Sequence, residues 1–277
     1  VILVNSYTIK TIWNINMKAS VVIANYNNAK FIPDCINSLK SQTYNNIEII
    51  FFDDNSTDSS LEVIEKFENV KIIKNKHQTN FGSLNQINAF KKAINESTGD
   101  IIFFLDSDDY FHNSKIEKII NKFLDDRKKM IIYDFPIILK DNNQTFPKKI
   151  INNNLTYWGY IHPTSCISIR KNFINKVFDN VINDKFTNIW LDLRILLFSK
   201  YIHKYDIIKD NLTYYRQSSD NVSSKFKKFS KSWWKRRNEA HDYFFDFVKR
   251  NNLKINKNLD FYLTKLINIT IKWKKLL

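Results

Sequence analysis

The chain has 277 residues, 43% of them hydrophobic, enough to bury a full core in one domain with an appendage. No apolar run approaches the roughly 18 residues of a membrane span and no signal peptide with a cleavage site is visible, so the expected location is the cytoplasm. The formal net charge of +15 is uneven: residues 221–277 hold fifteen Lys or Arg against four Asp or Glu, which invites an acidic partner.

Residues 1–16, ahead of Met17, show no regular pattern and read as an N-terminal extension. From Lys18 onward, apolar runs at 19–24, 47–52, 70–73 and 101–105 read as strands. An unbroken run, unlike an alternating one, suits a strand covered on both faces. Between the runs, Ile32, Cys35, Ile36 and Leu39 keep helical spacing. So do Leu61, Ile64 and Phe67, with Asp58 as an N-cap, and Ile87, Phe90, Ala93 and Ile94. This alternation predicts an α/β fold with a mostly parallel sheet and right-handed crossovers. Ser114-Lys115-Ile116-Glu117 has the form of a capping box, opening a helix with Ile119, Ile120, Phe123 and Leu124 inward. Cys35 and Cys166 lie far apart in apolar surroundings and are expected to be buried, reduced thiols.

Sheets of this kind bind ligands beyond the carboxyl ends of their strands. Three strands end there in polar clusters: Asn25-Tyr26-Asn27, Asp53-Asp54-Asn55-Ser56 and Asp106-Ser107-Asp108-Asp109. The last cluster could be a solvated turn, but three acids so close repel one another unless a cation compensates them. Carboxylates without a Cys or a His pair suit Mg²⁺ or Mn²⁺ rather than zinc. The only glycines are Gly82, Gly99 and Gly159, and neither GxGxxG nor GxxxxGK[ST] occurs, which argues against a dinucleotide dehydrogenase or a P-loop enzyme. Tyr26 could stack on a base, and Asp53 or Asp54 could accept from a pyrimidine imide or a ribose hydroxyl. The parts fit a nucleoside diphosphate held with a metal.

The segments 20–27, 52–58 and 99–109 resemble, in order and spacing, the inverting family-2 glycosyltransferases of the GT-A fold. The likeness is close over residues 18–123 and weaker to about 224. It implies a GT-A-like domain over 17–224, with a nucleotide-sugar half at 17–125 and an acceptor half at 126–224, followed by a basic, aromatic helical tail at 225–277. By the resemblance, Ala24, Tyr26, Asp53, Asp54, Asp106 and Ser107 would bind the nucleotide. Asp106 and Asp108 would hold a divalent metal, Mn²⁺ or Mg²⁺, on the diphosphate, and Asp109 would brace the loop. His162 and Ser165 are candidates for the acceptor side, although a lone His is more often structural. Asp192, at the start of an apolar stretch with helical spacing, is the candidate general base, with Asp184 as runner-up. The plainer reading of Asp192 is an ion pair with Arg194 or Lys200. Two departures from the family stand out. Gln217 to Asn221 lacks the His that completes the metal shell in many relatives, leaving Asp220 or water. The segment 82–88 lacks the family's Arg.

The tail carries Phe226, Phe229, Trp233-Trp234-Lys235-Arg236-Arg237 and Tyr243-Phe244-Phe245. It suits either a helix on the anionic inner face of a membrane or an appendage packing its aromatics on the catalytic domain. Nucleic acid is not expected, since no RNA-binding motif accompanies the charge. The expected function is transfer of a sugar, with inversion, from a nucleotide-diphosphate donor, a UDP-sugar by preference, to a hydroxyl of a surface glycan or lipid-linked glycan. The alternatives are a catalytically inactive glycan- or membrane-binding module and an Asp-x-Asp phosphatase.

Overall fold

The computed structural model describes residues 16–141, 143–147, 156–217 and 226–273. Residues 1–15 and Asp220, to which the sequence assigned an extension and a metal contact, lie outside them. One sheet runs through the molecule in the order β3-β2-β1-β4-β8-β6-β9-β5, with β7 paired to β6 off this path. Its first block is parallel: β3 (Val70–Lys74), β2 (Ile47–Asp53), β1 (Ala19–Asn25) and β4 (Ile101–Asp106). β8 (Ile167–Arg170) then pairs antiparallel with both β4 and β6 (Ile131–Lys140). β9 (Asp206–Arg216) runs parallel to β6 and pairs antiparallel with the short β5 (Tyr110–Phe111). β7 (Asn143–Thr145) closes a hairpin with β6.

The unbroken apolar runs are explained by two cores, one on each face of the sheet. Val22, Phe52 and Phe104 point into one, and Val21, Ile23, Phe51 and Phe103 into the other. Neighbouring residues of a strand face opposite sides, so both must be apolar. α3 (Gly82–Asn95), α5 (Lys171–Val181) and α6 (Leu191–Tyr201) cover the first face. α1 (Ile32–Lys40) and α4 (Lys115–Asp125) cover the second, while the short α2 (Ser60–Ile64) adds Ile64. Gly99 is required by packing: a Cβ there would lie 2.5 Å from Ser20 Oγ and 2.6 Å from Lys18 O.

α6 is apolar nearly all round because it sits between two cores. Leu191, Ile195 and Phe198 face the sheet, and Leu193, Leu196 and Leu197 face a third cluster with Tyr157, Trp158 and the tail. That tail forms α7 (Lys231–Arg250) and α8 (Leu259–Trp273). Ser230 caps α7, its hydroxyl accepting from Trp233 N at 3.2 Å. Tyr243 and Phe244 are fully buried and Trp233 and Trp234 are half-buried, so much of the aromatic content of α7 packs on the domain.

The capping box expected at Ser114 does not form. Ser114 Oγ lies 3.0 Å from His112 Nδ1, and Glu117 accepts from Thr43 Oγ1 at 2.6 Å. Both side chains tie α4 to neighbouring segments instead of closing its own first turn.

Candidate active site

Strand register sets the site. Asn25 is opposite Asp53 across β1 and β2, and Ala24 is opposite Asp106 across β1 and β4, so the three polar clusters sit side by side at one sheet edge. The turns that follow need a left-handed backbone at Asn27 (φ 52°) and Asn55 (φ 58°), a conformation that Asn adopts more readily than most residues.

Asp53 is buried and committed to this edge: it accepts from Asn25 Nδ2 at 2.8 Å and from the Ser56 amide at 3.0 Å. Asp54 accepts from Asn75 Nδ2 at 2.7 Å and Gln78 Nε2 at 3.0 Å, while burial holds its carboxyl above the usual carboxylate range. Tyr26 stands beside them half exposed. Ser107 is buried, bonding through its amide to Ala24 O at 3.1 Å and accepting from Asn28 Nδ2 at 3.0 Å.

The acidic loop after β4 is built over a buried polar network. Asp106 accepts from Gln86 Nε2 at 2.7 Å and donates its amide to Ser165 Oγ at 3.1 Å. The same hydroxyl donates to Asp109 Oδ2 at 2.6 Å, and the Arg216 amide reaches Asp109 Oδ1 at 2.9 Å. The Arg216 guanidinium donates to Asp108 O at 2.8 Å, pairs with Asp34, and lies 4.8 Å from the rings of Phe31 and Tyr110. Beneath the loop, fully buried Lys115 donates to Asp134 Oδ1 at 2.9 Å and to Ser165 O and Thr213 Oγ1 at 2.6 Å each.

Burial, the charge of Asp108 and, more weakly, that of Asp192 raise Asp106 to about 8 against the pull of Gln86. Burial also raises Asp108, with Arg216 opposing, and raises Asp109, reinforced by Asp108 and Asp106. Burial raises Asp192 at the start of α6, opposed by the Leu193 amide, which donates to its Oδ1 at 2.6 Å, and then by the charge of Arg236 of α7. Burial, and then the charges of Asp109, Asp192, Asp108 and Asp106, raise the Tyr215 phenol well above its ordinary value. Asp106 thus lies within the electrostatic reach of Asp108 and Asp192, and the Tyr215 phenol within that of all three, with Arg216 acting on Asp108 and Arg236 on Asp192.

The expected pairing of Asp192 with Arg194 or Lys200 is absent. Arg194 is fully buried and donates to the carbonyls of Ile189, Val181, Asn183 and Phe186 at 2.6–3.1 Å, holding the 181–189 connection against α6. Lys200 donates to Tyr157 O at 2.8 Å. Asp184 is exposed on that connection. His162 and Ser165 are both buried, Ser165 beneath the acidic loop that it bonds through Asp109 and the Asp106 amide. His162 Nδ1 lies 2.8 Å from Asp134 O, and burial lowers its imidazole to about 4.

No group of three or more His, Cys, Asp or Glu able to hold a metal occurs among the described residues. The donors present still fit a hard cation that completes its shell elsewhere: Asp106 and Asp108 supply carboxylate oxygens made costly by burial, and the buried Gln86 Oε1 beside them has no hydrogen-bond partner among the described residues.

The family model for glycosyl transferase family 2 matches residues 20–202. The chain belongs to that family. A glycosyltransferase of Nostoc sp. is 32% identical over 215 residues, covering 72% of this chain and 65% of its own, so this chain spans about two thirds of that relative. The Escherichia coli enzyme WfgD, a UDP-Glc:α-D-GlcNAc-diphosphoundecaprenol β-1,3-glucosyltransferase, is 26% identical over 272 residues, covering 91% of this chain and 93% of its own. A crystal structure of Staphylococcus aureus TarS in complex with UDP superposes with a TM-score of 0.59 at 18% identity, covering 82% of this chain and 65% of that one, which shows a shared GT-A-like fold. Membership of the family sets aside the Asp-x-Asp phosphatase.

Sequence reasoning did not single out Gln86, Arg216 or Arg236, which bond to Asp106, bond to Asp108 and act electrostatically on Asp192 respectively. Gln86 occupies the segment where the family's Arg was sought, and Arg216 immediately precedes the 217–221 segment that lacks the family's His. Arg236 carried no separate signal, because the tail's basic residues read alike until α7 was placed.

Proposed function

We propose that this chain transfers a sugar from a UDP-sugar to a hydroxyl of a lipid-linked surface glycan, by single displacement with inversion. The side-by-side strand ends that carry Tyr26, Asp53, Asp54 and Asp106, with the charges of Asp108 and Asp192 acting on Asp106, support this reading. Tyr26 stacks on the base and Asp54 accepts from its imide, fixed in place by Asn75 and Gln78. Ala24 and Ser107 frame the ribose between β1 and β4. Asp106 and Asp108 would hold a divalent cation, which when bound would supply charge stabilisation to the leaving diphosphate. Asp192 takes the proton of the acceptor hydroxyl as its oxygen bonds to the anomeric carbon, while the bond from that carbon to the diphosphate oxygen breaks and its electron pair leaves with UDP. Burial raises the basicity of Asp192, while the Leu193 amide and then the charge of Arg236 favour its ionised form. UDP and a diphosphoundecaprenol acceptor in the WfgD relative, and UDP in the TarS complex, support the donor and acceptor classes. On this reading the protein works at the inner membrane face and touches it through residues 225–277.

Calorimetric titration of UDP, and separately GDP, with and without Mn²⁺ tests the donor site. Metal-dependent binding of UDP that disappears in Asp108→Ala is the expected result. Absence of nucleotide binding under either condition would favour the inactive glycan-binding module that kept the fold.

A further inference from the structure

The outward side of α8 carries apolar side chains where a surface helix ordinarily carries charge. Leu259, Tyr262, Leu263, Leu266 and Ile269 keep 77%, 58%, 48%, 60% and 53% of their surfaces exposed. Steps of three and four residues set them along a single stripe of the helix. The opposite side is already occupied. Phe261 and Thr264 are buried against α7, Asp260 accepts from Arg237 at 2.5 and 3.0 Å, and Asn268 donates to Trp234 O at 2.9 Å. The helix is therefore fixed by its polar and aromatic side and turns its leucines to solvent. A contiguous exposed stripe of this kind marks an interaction surface.

Charge selects the occupant. Residues 221–277 hold fifteen Lys or Arg against four Asp or Glu, and exposed Lys254 and Lys257 lead directly into Leu259. A second copy of the chain would bring two such basic regions together and be repelled, whereas an anionic surface is attracted. Among the described residues no helix is long and apolar enough to cross a membrane, and the stripe covers one side of α8 only, so the fitting geometry is a helix lying in the plane of an interface.

We propose that α8 seats this chain on an anionic lipid surface, with the stripe from Leu259 to Ile269 entering the boundary between headgroups and acyl chains and the neighbouring lysines on the lipid phosphates. The location differs from the sequence expectation, which rested on the aromatics of 226–245, because Tyr243 and Phe244 turn inward. The proposal rests on the lipid-linked acceptor reading for its purpose alone.

Co-sedimentation of the full chain, without substrates, uses vesicles of phosphatidylcholine and vesicles containing about 30% phosphatidylglycerol. Binding to the mixed vesicles is expected, weakened about tenfold or more as salt rises from low to physiological levels. Leu263→Asp/Leu266→Asp should weaken it by about a hundredfold. Both positions are exposed, so an unchanged melting curve is the fold control for this variant. Lys254→Gln/Lys257→Gln should reduce binding to the mixed vesicles alone. No binding to either vesicle, equal binding to both, or undiminished binding of the aspartate variant would overturn the proposal. So would a dimer in sedimentation that the aspartate variant dissociates while vesicles fail to bind, which would assign the stripe to a second copy. Vesicle binding reads α8 and UDP titration reads the strand ends, so either can fail alone.

Discussion

Replacing Lys115 by Met tests the buried network under the acidic loop. Lys115 Nζ makes three hydrogen bonds, to Asp134 Oδ1 at 2.9 Å and to Ser165 O and Thr213 Oγ1 at 2.6 Å, and both members of the ion pair are fully buried. Removing one partner of such a pair leaves the other charge stranded and costs about 3–5 kcal/mol. The loss stays in that range because Asp134, whose carboxyl burial already raises, can take up a proton while Thr213 Oγ1 still donates to it at 2.7 Å. Asp134 then has a folded pKa above its unfolded value, so the deficit of Lys115→Met is smallest near pH 4 and grows as pH rises. The double variant Lys115→Met/Asp134→Leu removes both charges and should recover to within about 2 kcal/mol of the parent. Urea denaturation of the parent, the two single variants and the double variant gives the coupling energy directly. A single-variant cost below about 1 kcal/mol, or a double variant whose cost equals the sum of the singles, would refute the reasoning.

Asp192→Asn should lower turnover by about 10²–10⁴ with UDP affinity unchanged, measured by steady-state transfer and calorimetry, and retained activity would move the base to another group such as Asp184. Arg236→Gln removes the charge that, after the Leu193 amide, opposes the burial of Asp192, so the acid limb of the kcat/KM profile should move to higher pH; a profile that stays in place would separate Arg236 from the base. Lys18, Ser20 and Thr98 bring Glu48 down to about 2 against its burial, so its stabilisation is full above the ordinary carboxylate pKa and fades as pH falls through that value. Glu48→Gln should therefore cost about 2 kcal/mol at pH 7 after allowance for solvent screening, with a deficit that shrinks in acid melts. Gly99→Ala should destabilise by about 1–3 kcal/mol in thermal melts, since its Cβ would meet the backbone of Lys18 and Ser20.

The apolar runs at 19–24, 47–52, 70–73 and 101–105 were sufficient to read the parallel block of the sheet, because strands buried on both faces admit no polar alternation. The polar clusters at their ends were legible for the same reason: an apolar run that stops at Asp106 ends at a sheet edge. Tertiary structure decided what no local pattern records. Ser114 and Glu117 have the spacing of a capping box, yet nearby His112 and Thr43 compete for their side chains. Lys115 and Arg194 look like surface charges on helices, but Asp134 and four backbone carbonyls hold them in the interior. The charge of Asp192 acts on Asp106 from a helix more than 80 residues away in the chain, and that of Arg236 acts on Asp192 because α7 packs on α6. Periodicity reports which side of an element is apolar, whereas the partner of a buried charge is set by whichever group packing brings within a few ångströms, and that depends on the whole chain.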